Sequence, residues 1–181
     1  MPNPDLLSDP GDVRRGPGEL LRSARELLGA RDLLRSASEM VRRAGPLPGG
    51  VSAAAPEALT QLVTLAARQV PGCSGASATL WQDGEPAVLA TSHPELAELA
   101  AIGHRCGRGP EATALAAGEP VWSPDTLAED RWPEYAAAAL ARGVRCSATL
   151  VHQSGPLVVT LSLFGAQPGG PGTATPAAIG S

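Results

Sequence analysis

The chain contains five aromatic residues (three Trp, one Tyr and one Phe), and all of them lie between Trp81 and Phe164. Large rings dominate the burial that closes a small core, so the centre of any folded domain is confined to that stretch. The rest of the core has to come from aliphatic side chains, and these are scarce. Leu, Ile, Val and Phe make up 37 of the 181 residues, roughly a fifth, just above the level at which a chain stops folding. The hydrophobic fraction of 43% overstates the core because 32 of those positions are alanine, while Gly and Pro take another 21 and 18.

All 14 basic residues are arginine, the net charge is −4, and there is no lysine. That balance gives no electrostatic footprint for direct nucleic-acid binding. No apolar run approaches the ~20 residues of a membrane span, and the start, MPNPDLLSDPGDVRR, has no apolar stretch of a secretory signal. Cys73, Cys106 and Cys146 are odd in number and widely spaced, which argues against a disulfide framework. The expectation is a cytoplasmic protein with reduced thiols and no membrane association.

Residues 1–16, rich in Pro, Gly and charge, read as a flexible lead. From 17 to 45 a short unit repeats: Glu19-Leu20-Leu21-Arg22, Glu26-Leu27-Leu28, Asp32-Leu33-Leu34-Arg35, Glu39-Met40-Val41-Arg42. This spacing predicts one amphipathic helix, with Pro17 at its start and Gly45-Pro46 at its end. Arg22/Glu26 and Arg35/Glu39 stand four apart and could pair along it. Leu20, Leu27, Leu34 and Val41 form a strict heptad run, which suits a homodimer seam. Arg31 and Ser38 at the complementary positions weaken that seam, and a helix covering its own domain is the equal alternative.

After a linker at 46–55 the pattern becomes mixed. Helical spacing covers 57–70, and alternation marks strands at 76–82 and 87–91 around the hairpin signal Asp83-Gly84. Short helices are expected at 94–102, 110–117 and 133–142, a short strand at 120–122, and two last strands at 144–152 and 157–164. Residues 167–181 lack periodicity and read as a disordered tail.

The order of these elements, with their motifs, resembles a GAF domain. The matching residues are Pro71-Gly72-Cys73-Ser74-Gly75 leading into the first strand, Ala90-Thr91-Ser92-His93-Pro94, and Gly107-Arg108-Gly109-Pro110. The most specific are Gly118-Glu119-Pro120-Val121, Pro124-Asp125, Asp130-Arg131-Trp132-Pro133 and Gly143-Val144-Arg145. The resemblance covers roughly 51–168. It implies an α+β fold at 56–166, an antiparallel sheet flanked by helices, with a ligand cavity on one face and frequent dimerisation through flanking helices. It leaves no recognisable output module. The helix that normally follows the last strand is missing, because Gln167-Pro168-Gly169-Gly170-Pro171 cannot be helical. The Leu-rich helix at 19–44 is a candidate substitute cover for that sheet face, with a truncated or frame-shifted terminus as the alternative explanation.

Candidate ligand residues follow from that cavity: Arg108, Glu111, Trp122, Arg131, Trp132 and Tyr135. Arg108 precedes a helix N-terminus, where free N–H groups reinforce binding of an anion. Arg131 offers a fork of donors, although a purely structural role has the greater weight. No metal site is expected: His104 and Cys106 could share a face, but no third ligand accompanies them. Nor is a cofactor indicated, since the Asn-Lys-Phe-Asp-Glu box of cyclic-nucleotide relatives cannot occur without lysine. No catalytic residue stands out. The leading expectation is a non-enzymatic sensory or regulatory domain that binds a small molecule or a protein partner. One alternative is a ligand-free scaffold associating through its helix. The other is a GAF-type thiol reductase acting on free methionine sulfoxide, with Cys106 activated by His104 and Arg105.

Overall fold

The computed structural model describes residues 17–45 and 51–169, with side chains from Leu28 onward. The expected flexible lead (1–16), residues 46–50 of the expected linker and 170–181 of the expected tail lie outside the described residues. The elements in order are α1 (Pro17–Ala44), α2 (Ala55–Gln69), β1 (Gly75–Gln82), β2 (Glu85–Thr91), α3 (Pro94–Cys106), α4 (Pro110–Ala117), β3 (Val121–Ser123), a 3-10 turn (Thr126–Ala128), α5 (Pro133–Ala141), β4 (Cys146–Ser154) and β5 (Leu157–Gly165).

Proline and glycine punctuate this series. A proline stands in the first turn of α2, α3, α4 and α5, where its missing N–H removes no helical bond. Gly107 (φ +61°) ends α3 and Gly118 (φ +68°) ends α4, both left-handed, a conformation that costs an L residue about 1–2 kcal/mol. Because nothing stops α3 before Gly107, it runs one turn past the expected 102 and carries His104 within the helix. Asp83 (φ +53°) and Gly84 (φ +82°) make the β1–β2 turn, the pairing that matches strand twist. The 3-10 turn was not foreseen; the Asp125 carboxylate accepts from the Leu127 N–H and sets it.

All five strands are antiparallel, in the order β2-β1-β5-β4-β3. Ser77 stands opposite Ser162, and Ser162 opposite Thr149. Strand alternation gives the sheet two different faces. Ala76, Ala78, Leu80, Ala148, Leu150, Val159, Leu161 and Leu163 point to one face and form the main core with α1 and α2. The other face carries Ser77, Thr79, Ser147, Thr149, Thr160 and Ser162, all buried, and lies toward α3, α4 and α5. Two small clusters close that side: Leu96, Leu99, Ala139, Val144 and Phe164, and then Ala114, Val121 and Trp132.

The helix expected as a dimer arm is part of this core. Ala30, Leu34, Ala37 and Val41 are buried against α2 and the sheet, and the Ser38 hydroxyl, also buried, donates to the Leu34 carbonyl. Leu34 and Val41, half of the heptad seam, are therefore occupied within their own chain; the side chains of Leu20 and Leu27 lie outside those described. The aliphatic sheet face has to be covered, and the described chain after β5 only turns, with the Gly169 N–H donating to the Pro124 carbonyl. The expected Arg35/Glu39 pair does not form. Arg35 instead pairs with Asp32, and Glu39 with Arg42, the acid-first order that is favoured along a helix. Among the described residues no helix is long and apolar enough to cross a membrane.

Two substitutions test this account. Leu34→Ala is expected to cost about 2–5 kcal/mol in urea denaturation, whereas Leu28→Ala on the exposed side should stay within about 0.5 kcal/mol. Dissociation of a dimer with unchanged monomer stability would instead place the seam against a second chain. At Gly118 a Cβ would meet nothing within 4 Å, so Gly118→Ala isolates backbone strain and should cost about 1–2 kcal/mol; a neutral result would refute the left-handed cap.

Candidate ligand cavity

Between the hydroxyl-bearing sheet face and helices α3, α4 and α5 lies a cavity of about 770 Å³, within the usual range for small-molecule sites. Trp81, Ala100, Leu115, Tyr135, Val158 and Phe164 supply much of its apolar wall. Its mouth is formed by the β1–β2 turn at Asp83–Pro86 and by Pro156 in the β4–β5 turn.

Three of the lining residues, Trp81, His104 and Glu111, belong to a connected polar cluster with Thr79 and Thr160 of the same sheet face. Buried hydroxyls need partners, since an orphaned one costs about 1–3 kcal/mol. Thr79 donates to Oε1 of Glu111 at 3.1 Å and Thr160 donates to the same oxygen at 2.9 Å. The Thr160 oxygen in turn accepts from the Trp81 indole N–H at 2.9 Å. Oε2 of Glu111 lies 2.7 Å from Nε2 of His104. The Glu111 and His104 side chains are only 13% and 17% exposed. Further along the sheet, Thr149 and Ser162 bond to each other at 2.9 Å.

Each member is placed by its local sequence. Pro110 starts α4 and puts Glu111 in its first turn, where the helix dipole favours a carboxylate. His104 sits in the last turn of α3, with its ring edge-on to Trp81 at 5.0 Å between centroids. The tight Gly107–Gly109 connection between the two helices brings these side chains together across seven residues. Tyr135 of α5 lies against Gly103 and Gly109, where a Cβ would stand 3.5 and 3.4 Å from its ring. Burial, and after it the charge of Glu111, raises the Tyr135 phenol well above its ordinary pKa, so its hydroxyl stays neutral and can both donate and accept.

Of the six candidate residues from sequence, the cavity brings together Glu111 and Tyr135. Arg108 is exposed and lines a separate groove on the far side of Tyr135, with Cys106, Trp132 and Glu134. Trp132 is buried beside Ala114 and Val121 rather than against the cavity. Trp122 stands opposite Ala148, which turns it to the α1/α2 face, where it packs on the main core. Arg131 binds its near neighbour: its guanidinium donates to Glu129 at 2.8 and 2.6 Å and to the Trp122 carbonyl at 2.6 Å. It also lies over the Trp132 ring at 4.2 Å. The Arg131 hydrogen bond holds the Glu129 carboxyl below its usual range. These contacts use three of the five N–H donors of Arg131 and pin the loop before α5.

The thiols are likewise away from the cavity. Cys106 is exposed, and its thiol donates to Glu134 at 3.2 Å; that bond raises its pKa, and Arg105 opposes it only weakly. The electropositive setting expected from His104 and Arg105 fails because His104 turns inward to Glu111 while the carboxylate of α5 approaches from outside. Cys146 is buried on the core face with Ala148 and Leu150, and burial raises the thiol of Cys73. Among the described residues no three His, Cys, Asp or Glu side chains converge as a metal site.

Sequence reasoning set His104 beside the Cys106 thiol rather than in the cavity, and missed Trp81 and the hydroxyl row. A signal existed: serine or threonine alternates with small or aliphatic residues in Ala76–Leu80, Cys146–Leu150 and Val159–Leu163. Three such strands make a polar face if they are neighbours, and only the pairing makes them so.

No family model matches the chain, and neither does any curated protein. Among solved structures it is similar to CepR2 of Burkholderia cenocepacia, an N-acylhomoserine lactone dependent LuxR family transcription factor. Identity is 14%, the TM-score is 0.52, and 83% of each chain is covered. Escherichia coli SdiA aligns at 16% identity over 81% of this chain and 59% of that one, with a TM-score of 0.43, too low to carry an argument. At 14% identity the likeness to CepR2 is one of fold, and it agrees with the α+β antiparallel layout read from sequence. The fold expected from the GAF resemblance is thus matched here in a LuxR family regulator, and no family model, GAF included, matches the chain.

Proposed function

We propose that this domain is a non-enzymatic, cytoplasmic sensory or regulatory module whose cavity takes a small organic ligand, acting in signal transduction or transcriptional regulation. The observation that carries this reading is the cavity itself. An apolar space of about 770 Å³ is built around one hydrogen-bonded cluster of Glu111, His104, Thr79, Thr160 and Trp81. Such a wall suits an apolar body whose orientation is set by a few polar contacts. The fold likeness to CepR2, described as N-acylhomoserine lactone dependent, supports a ligand-responsive role. The thiol-reductase alternative is not retained, since no cysteine lines the cavity and Cys106 faces out. A homodimer through the Leu20–Val41 seam has lost Leu34 and Val41 to the core, which removes the residue-level argument for it.

The test is thermal unfolding with a panel of small amphipathic molecules that includes N-acylhomoserine lactones. A true ligand at a hundred times its Kd adds about 2.7 kcal/mol, which raises Tm by roughly 5–10 °C for a domain of this size. Ala112→Phe, which fills the cavity from α4, should abolish that shift while the protein stays folded by circular dichroism. A panel without any stabiliser, or a shift that survives Ala112→Phe, would refute the reading and favour the ligand-free scaffold.

A further inference from the structure

The charged side chains that line the cavity are acidic except for a single imidazole. Glu111 lies within it, and Asp83 and Glu85 stand at its mouth. His104 is the one lining side chain able to carry positive charge, because no arginine lines the cavity and the chain has no lysine. Arg131, Arg142 and Arg145 are paired with Glu129, Glu98 and Asp125, while Arg105 and Arg108, next to lining residues in sequence, are exposed and outside the lining.

The Glu111 carboxylate receives Thr79, Thr160 and His104. A carboxylate has about four acceptor positions, so one remains for a ligand. Ser77, 1% exposed, is a further buried hydroxyl-bearing residue in the cavity lining. It lies on the same strand face as Thr79, about 7 Å away. Trp81 and Tyr135 supply aromatic rings to the same wall, a residue type that attracts cations.

Resting on the proposed ligand-binding reading, we infer that the cavity selects an organic cation: an amine carried on an apolar body, with its ammonium group on Glu111. Negative charge at the mouth and within the cavity repels carboxylate and phosphate ligands and draws ammonium ligands in. A charge-assisted bond from N⁺–H to a carboxylate is roughly twice as strong as a neutral one, so the head group dominates the choice between otherwise equal molecules.

The experiment uses three probes with one body: 4-phenylbutylamine, 4-phenylbutan-1-ol and 4-phenylbutyrate, titrated calorimetrically into the full chain. The amine is expected to bind at least about tenfold tighter than the alcohol, and the carboxylate not to bind. In Glu111→Gln the amine and alcohol should bind alike, with alcohol affinity unchanged. Should Glu111→Gln fail to fold, the double variant Asp83→Asn/Glu85→Gln, on the exposed turn, should weaken the amine about two- to threefold and leave the alcohol unaffected. Carboxylate binding equal to that of the amine, an amine preference that survives in Glu111→Gln, or no binding of any probe would overturn the inference. A neutral stabiliser found in the wider panel would then still uphold the general ligand-binding reading.

Discussion

A sheet with one aliphatic face and one hydroxyl face cannot be covered in the same way on both sides, and this asymmetry governs the rest of the molecule. The aliphatic face, from Ala76 through Leu163, loses its contact with water only if helices lie flat on it, and α1 and α2 do so. At about 25 cal/mol per Å² of apolar surface, leaving α1 off would expose the Leu34–Val41 stripe together with the strands beneath it. The hydroxyl face gains little from such a cover. Helices α3, α4 and α5 arch over it, and their short Ala-rich bodies leave space between themselves and the strands.

Glu111 is the second consequence. A nearly buried carboxylate is costly without partners, and two threonines from adjacent strands and an imidazole supply them. Thr79 and Thr160 stand opposite each other on β1 and β5, so sheet register delivers both hydroxyls to one oxygen. The outer surface solves its charge problems by local pairing, as in Glu129–Arg131. The arginines thereby stay out of the cavity lining, whose acids are Asp83, Glu85 and Glu111, the last bonded to His104.

Much of the layout was legible because its signals are local. Proline in the first turn and glycine after the last place α3, α4 and α5, and Asp83-Gly84 places the first hairpin. The assignments that went astray depend on distant pairing. Trp122 or Val121 could each have faced the cavity; the choice rests on β3 joining β4 with Trp122 opposite Ala148. Arg108 and Arg131 look like anion sites when only their neighbours in sequence are considered. In space Arg131 is taken by Glu129 and a carbonyl, and Arg108 falls on the outer side of Tyr135.

The sequence by itself determined which segments are helical and which extended, and that one long amphipathic helix needs a partner surface; the antiparallel sheet with helical flanks was implied by the family resemblance. The properties read from sequence alone follow from backbone conformation and from periodicity within a few residues. Tertiary structure alone decided what that surface is, which strand parity faces the cavity, and that His104, Glu111, Thr79, Thr160 and Trp81 form one cluster. The reason is physical. A buried polar group is stabilised by partners that strand register and helix packing bring from up to 79 residues away, as between Trp81 and Thr160, and no local pattern encodes which two strands will lie side by side.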